Sequence, residues 1–198
     1  MNRWIVSIML CAVAGSACAQ TQSRIRANVV TFDGKLLMVK TAVGKEIQLR
    51  LNEKTSISYP KALKLADIKP GDYVGSAAMP GPDGKLVARE VHLFPESQRG
   101  TGDGHRPWDG APDATMTNGG VSQSVKGTLG QELTVQFKGG TKTIVVPDGT
   151  PIVTSQPGDH SLLVPGAYVI VTAQSAADGS LSATRIQATS KDGVRPPG

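Results

Sequence analysis

The sequence predicts an all-β protein built from two tandem five-stranded β-barrels, each with a short helical crossover between strands three and four. The main observation is a repeat: residues 55–91 recur 95 positions later without a gap, so that Tyr73 corresponds to Tyr168. Two further observations are short runs of alternating polar and apolar residues and Asp-Gly pairs at matching places in both copies. Together they indicate a duplicated β-module.

The first 19 residues are predicted to be a secretory signal peptide. A positive start at Arg3 precedes an apolar run over residues 4–14, and Ala17-Cys18-Ala19 matches an A-x-A cleavage pattern. The apolar run is shorter than the roughly 20 residues that a membrane-spanning helix needs. We therefore expect a periplasmic or secreted protein after cleavage near Ala19, with no membrane span.

An outer-membrane lipoprotein acylated at Cys18 is the alternative for the amino terminus. The residues before it, Gly15-Ser16-Ala17, lack the large aliphatic residue that is typical of a lipobox. Both cysteines, Cys11 and Cys18, precede the predicted cleavage site, so no disulfide or thiol chemistry is expected in the mature chain.

The first module is predicted over residues 24–95. Asp33-Gly34 and Gly44 mark its first two turns, because such residues supply the backbone angles that hairpins require. A helical spacing of Leu63, Leu65 and Ile68 predicts the crossover. Strands are expected at 24–30, 36–41, 46–51, 73–78 and 86–94.

The second module is predicted over residues 123–189 and repeats that order. Leu133, Val135 and Phe137 alternate with polar residues and are expected to face inward. Residues 157–163 form the predicted crossover, which carries His160. Strands are expected at 125–129, 133–137, 143–146, 167–173 and 181–188.

A β-bulge is predicted in the last strand of each module. Leu86 and Ala88 are two positions apart, but the next inward candidate, Val91, is three further on. Leu181, Ala183 and Ile186 show the same spacing. One extra residue near Arg89-Glu90 and near Thr184-Arg185 would return the apolar side chains to the buried face and help the sheet to curve. Five strands with a crossover between the third and the fourth follow the order of the OB barrel.

Two segments are expected to lack regular structure. Residues 96–122 are rich in Gly, Pro and Asp and have few apolar residues, which is typical of a flexible linker. Residues 190–198 are polar and end in Pro-Pro-Gly, which favours a disordered tail.

No cofactor site and no metal site is predicted. His92, His105 and His160 lie in three different regions without the spacing of a zinc or copper motif. Asp103, Asp109 and Asp113 lie among linker glycines, but their offsets do not fit a calcium loop. Gly100, Gly102 and Gly104 neither follow a strand nor open a helix, so a phosphate loop is not indicated.

Catalysis and nucleic-acid binding are both disfavoured. Asp83 and Asp178 each precede a glycine in a predicted hairpin turn, and turn chemistry accounts for them. Tyr73 and Tyr168 each follow Pro-Gly at a strand start, where a barrel needs a large amphipathic side chain. No serine has the histidine and acid that a nucleophile needs. A nucleic-acid groove would need exposed aromatic residues, which are scarce here.

The net charge of +5 is concentrated in the first module. Residues 24–95 contain 12 Lys and Arg against 7 Asp and Glu, whereas residues 121–190 contain 4 of each. This distribution is compatible with weak binding of a polyanion, and also with a solvated lysine-rich face.

The repeated frame resembles a bacterial exported module, the domain-of-unknown-function family numbered 5666. In the first copy the likeness is carried by the following residues: Thr55, Ile57, Leu65, Pro70-Gly71-Asp72, Val74, Asp83-Gly84, Leu86, Ala88 and Val91. The second copy departs from it at Ala167, where Asp72 stands in the first. The resemblance implies an OB-like or small β-barrel module in the cell envelope and supplies no catalytic residues.

These observations predict an exported, non-enzymatic binding or scaffolding protein of the bacterial cell envelope. An unknown envelope protein, a polyanion or a small ligand would be its partner. The alternative is an accessory periplasmic metal-binding protein that uses the scattered His and Asp side chains.

Overall fold

The structure is a computed structural model that describes residues 22–127, 130–176 and 178–197. The predicted signal peptide, with Cys18 and the cleavage site near Ala19, lies outside the described residues. Within them the chain is all-β, as predicted, and its only helices are single 3-10 turns. No described helix is long and apolar enough to cross a membrane.

The described residues form thirteen strands. Their bounds are β1 Gln22–Phe32, β2 Leu36–Thr41, β3 Glu46–Arg50, β4 Ser56–Ala62, β5 Tyr73–Pro80, β6 Leu86–Leu93, β7 Gly104–Pro107, β8 Thr115–Gly127, β9 Gly130–Phe137, β10 Gly140–Val146, β11 Ile152–Pro157, β12 Tyr168–Ser175 and β13 Leu181–Ala188. The strands β12 and β13 lie 95 positions after β5 and β6 with the same lengths, as the sequence repeat requires.

All strands belong to one sheet whose pairings close on themselves twice. In the first circuit β12, β1, β2, β3 and β13 are neighbours, and Ser182 of β13 pairs with Arg50 of β3 to complete it. In the second circuit β10, β9, β8, β5 and β6 are neighbours, and β6 pairs with β10 through Leu86 and Ile144. The strands β4 and β11 join the two circuits.

The strands are grouped differently from the sequence prediction, in which each module closes on its own strands. We call residues 22–94 the first half and residues 115–197 the second half. The strands β1–β3 of the first half are closed by the β12–β13 hairpin of the second half. In the same way, β8–β10 of the second half are closed by β5–β6 of the first half. The cause lies in β4 and β11, which the sequence reading did not identify as strands. They pair antiparallel with each other and carry the chain from one circuit to the other.

Each circuit encloses a hydrophobic core to which both halves contribute. The first core combines Leu37 and Leu49 with Val169 and Ile186, and all four are fully buried. The second core takes six buried residues from each half. Because burial of one such side chain contributes about 1.5–3 kcal/mol, closure by the other half's hairpin is a large part of the stability.

Both predicted bulges are confirmed. Ala77 pairs with Glu90 and Ala78 with Ala88, which leaves Arg89 as the extra residue of β6. In β13 the pairing passes from Arg185 to Ala183 and leaves Thr184 as the extra residue. As a result Val91 and Ile186 are fully buried.

The crossovers are present as 3-10 turns at Leu65–Asp67 and His160–Leu162, each after a strand that the sequence reading missed. One of the two segments expected to be irregular contains strands. The predicted linker contains β7 and the start of β8. These two strands pair with each other, and β8 also pairs with β5. In the tail Ser190 donates to the carbonyl of Val194 over 2.9 Å, and Pro196 is buried.

We expect Ile186→Ala to lower the free energy of unfolding by about 2–5 kcal/mol, because it leaves a cavity in the core of the first circuit. Val43 is 89% exposed in the β2–β3 turn, so Val43→Ala should change the stability by less than about 0.5 kcal/mol. Urea denaturation followed by tryptophan fluorescence measures both. Equal losses in the two variants would contradict the described packing.

Candidate functional site

A cleft of about 890 Å³ lies at one end of the first circuit. It is lined by residues 34–35 and 51–55 of the first half and by His160 of the second half, and we call it the loop cleft. A neighbouring cleft of about 640 Å³ shares Gly34, Lys35 and Leu51 with it and adds Arg50. The size falls in the range of small-ligand sites, about 300–1,000 Å³.

The β1–β2 turn forms one wall of the loop cleft and is fixed by Asp33. The Asp33 carboxylate accepts the backbone N–H groups of Lys35 at 2.9 Å and of Leu36 at 2.7 Å. These hydrogen bonds lower the pKa of Asp33. The backbone conformation at Lys35 is therefore fixed, and the Asp33 carboxylate is already occupied by hydrogen bonds within the turn.

The β3–β4 loop also lines the cleft and is fixed by two side chains. The Asn52 side chain accepts the N–H of Lys54 at 2.9 Å, and the Thr55 hydroxyl accepts the N–H of Asn52 at 3.0 Å. The Thr55 hydroxyl also donates to the carbonyl of Ala183 on β13 at 2.7 Å. This loop is thus anchored to the hairpin that the second half supplies.

His160 reaches the loop cleft from the second half. It begins the 3-10 turn after β11, where the Asp159 carboxylate caps the turn by accepting the N–H of Ser161 at 2.7 Å. That hydrogen bonding lowers the pKa of Asp159. The imidazole packs edge-on against Phe32, with ring centroids 5.1 Å apart. Both halves therefore build the site.

Two side chains of the loop cleft are not repeated at the equivalent positions of the other half. Lys54 corresponds to Gly149 in the repeat, and His160 corresponds to Leu65. Thr55, which holds the loop, has the matching Thr150, whose hydroxyl donates to a carbonyl in its own loop at 2.8 Å. The hydroxyl that fixes the loop is thus present in both halves, whereas Lys54 and His160 are replaced at the equivalent positions.

The other two histidines lie elsewhere. His92 on β6 stacks on Phe94 with ring centroids 4.6 Å apart, and its Nε2 is buried without a hydrogen-bond partner among the described residues. Burial lowers the pKa of His92. His105 on β7 makes a 2.8 Å hydrogen bond with the Thr117 hydroxyl, and burial together with the charge of Lys142 lowers the pKa of His105.

The linker carboxylates have structural partners. Asp103 accepts the backbone N–H of Lys138 at 3.0 Å, and Asp109 pairs with Arg26 of β1 at 3.3 Å. Asp113 occupies a left-handed turn position with φ 59°. Across the described ranges no three His, Cys, Asp or Glu side chains gather in a way that could hold a metal ion.

The turn aspartates and the two repeated tyrosines also have structural explanations. Asp83 lies in the β5–β6 turn with φ 57°, and Asp178 accepts the N–H of Ser180 at 2.9 Å in the β12–β13 turn. Arg99 lies over the Tyr73 ring at 5.9 Å, and Arg195 lies over the Tyr168 ring at 5.3 Å. The segment after each closing hairpin therefore covers its tyrosine, a correspondence that the sequence reading missed.

We expect His92→Gln to reduce the loss of stability in acid. The unfolded chain binds a proton near the ordinary histidine pKa of about 6.5, whereas the folded chain resists protonation of His92, so stability falls as pH drops below that value. Glutamine fits this position of the repeat, because Gln187 occupies it in β13. Urea unfolding at pH 5 and pH 7 measures the difference, with His160→Gln as the exposed control. An unchanged pH dependence in His92→Gln would contradict this assignment.

Comparison with known proteins gives one match, to a family model, over part of the chain. No curated protein and no solved structure gives a significant match. The family match covers the second copy and does not extend to the first. The predicted resemblance of both copies to the family is therefore supported for the second copy alone. Residues 119–187 match the family described as "Domain of unknown function (DUF5666)".

Proposed function

We propose that this chain is an exported, non-enzymatic binding or scaffolding protein of the bacterial cell envelope, and that the loop cleft binds a small anionic ligand. The observation that carries the proposal is the loop cleft itself. Its walls are fixed by their own hydrogen bonds, and the other half has Gly149 and Leu65 at the positions equivalent to Lys54 and His160. Fixed loops bind with a smaller entropic cost, because little has to be ordered.

We further propose that the two circuits are five-stranded OB-like barrels with exchanged closing hairpins. In OB barrels the loop between the first two strands contributes to ligand sites. The β1–β2 turn with Lys35 is that loop in the first circuit, and it borders the loop cleft. The location of the cleft is therefore the one that this architecture favours.

Lys35 and Lys54 are the proposed contacts to the anionic group. Both side chains are exposed, and both residues line the loop cleft together with Asn52. Glu53 belongs to the same wall and would repel a polyanion that runs along the loop. A single carboxylate on a small polar molecule fits this arrangement better than a long anionic chain.

NMR titration of the isotope-labelled chain with glucuronate, citrate and inorganic phosphate tests the proposal. We expect amide shifts at residues 34–35 and 52–55, and a roughly tenfold weaker affinity in the Lys35→Ala/Lys54→Ala variant, since two exposed ion pairs are lost. Lys126→Ala removes an exposed lysine of β8 and serves as the charge control. Absence of shifts at the cleft with all three probes, or equal affinity in the double variant, would refute the proposed site.

The metal-binding alternative would use His92, His105 and His160, from β6, β7 and the turn after β11, together with the linker carboxylates. Their contacts are Phe94, Thr117 and Phe32, and none of these is a metal-ligating carboxylate. Calorimetric titration with Cu(II), Zn(II) and Ca(II) separates the two proposals. We expect no saturable heat, and a stoichiometric isotherm would favour the alternative.

A further inference from the structure

The β4–β11 pairing is symmetric with respect to the sequence repeat. Pro60 lies opposite Ser155, and these two positions are equivalent in the repeat. Ala62 lies opposite Val153, which is the equivalent of Ser58. A surface that meets its own equivalent across a two-fold axis is an isologous interface, as in a symmetric dimer.

The rest of the contact between the halves follows the same symmetry. The first half gives its β5–β6 hairpin to the second circuit, and the second half gives its β12–β13 hairpin to the first. The β6 strand pairs in parallel with β11, and β13 pairs in parallel with β4. Each half is therefore completed by the other, in the way that two subunits complete each other in a hairpin-exchanged dimer.

A single covalent connection, residues 94–114, joins the halves. Arg99 within it donates to the carbonyl of Gly71 at 2.8 Å, and the Asn118 amide donates to the carbonyl of Thr101 at 3.0 Å. Gly100 and Gly102 have φ values of 85° and 58°, which turn the connection back on itself. Glycine at both positions also permits an extended backbone, so this segment can act as a hinge.

We propose that the chain also assembles with a second copy of itself by exchanging halves. In that dimer residues 22–94 of each chain pair with residues 115–197 of the other, and the segment 95–103 runs straight between them. Every strand pairing and both cores are kept. The balance between monomer and dimer is then set by the effective concentration that the connection provides, which is about millimolar for short flexible connections. This inference does not depend on the loop cleft.

Refolding at two concentrations tests the proposal. We expect the denatured chain to refold as a monomer at about 1 µM and to give a substantial dimer fraction at about 1 mM, because only the second approaches the effective concentration. The dimer should persist for hours after dilution, since separation requires unfolding of both halves. Size-exclusion chromatography with light scattering measures the masses. Monomer alone at both concentrations would overturn the proposal.

A shortened connection should shift the equilibrium from monomer to dimer. Without residues 100–102 the connection cannot turn back on itself, and the two halves of one chain cannot pair with each other. This deletion variant should therefore be mostly dimeric even at about 1 µM. Deletion of Ala42 and Val43, two exposed residues of the β2–β3 turn, is the control and should remain monomeric. If the shortened chain does not fold, the refolding of the unaltered chain decides the question alone.

A cysteine pair distinguishes exchange from side-by-side association. Lys61 lies opposite Thr154 in the β4–β11 pairing, and the sequence has no cysteine after residue 18. In the Lys61→Cys/Thr154→Cys variant the exchanged dimer should give a covalent dimer on a denaturing, non-reducing gel. A dimer that migrates as disulfide-bonded monomers would show that the halves are not exchanged and would overturn the proposal.

Discussion

Closure of each strand circuit by the other half's hairpin is the constraint on which the rest of the structure depends. Without β12 and β13, the strands β1–β3 have no partners at either edge, and core residues such as Leu37 and Leu49 lose Val169 and Ile186. Exposed strand edges and uncovered apolar faces are both costly in water. Neither half can therefore bury its core by itself in this arrangement, and the chain is stable only as a pair of halves.

The same constraint positions the loop cleft. The β3–β4 loop is held by the hydrogen bond from Thr55 to Ala183, and His160 arrives from the second half to meet Phe32. A site at the boundary between two mutually closed halves is fixed by both of them. Because the second circuit has Gly149 and Leu65 at the positions of Lys54 and His160, these two side chains are specific to the first circuit. This difference between the copies is the reason why the proposed ligand site is assigned to the first circuit.

The all-β class, the hairpin turns and both bulges could be predicted from sequence, because spacing of apolar residues around Arg89 and Thr184 reports local geometry directly. The partner of each hairpin could not be predicted. Val74 and Val169 are equivalent in the repeat and suit the same core position, so both closures satisfy the pattern equally well. The ordered structure of residues 96–114 could not be predicted either. It depends on side chains such as Arg99 that hydrogen-bond to backbone groups, and not on buried apolar residues. The cleft was missed because turn residues such as Lys35 and Asn52 look like ordinary loop residues until the fold brings them together.

Disulfide trapping of strand β1 tests the exchanged closure most directly. Ala27 lies opposite Val169 of β12, whereas closure within the first half would place it opposite Val74, the equivalent of Val169. Ala27, Val74 and Val169 are all buried and small, so cysteine is tolerated at each of these positions. At low protein concentration the exchanged closure predicts rapid formation of the 27–169 disulfide in Ala27→Cys/Val169→Cys and none in Ala27→Cys/Val74→Cys, as measured by mass spectrometry of proteolytic fragments. A 27–74 disulfide in the folded protein, without a 27–169 disulfide, would contradict it.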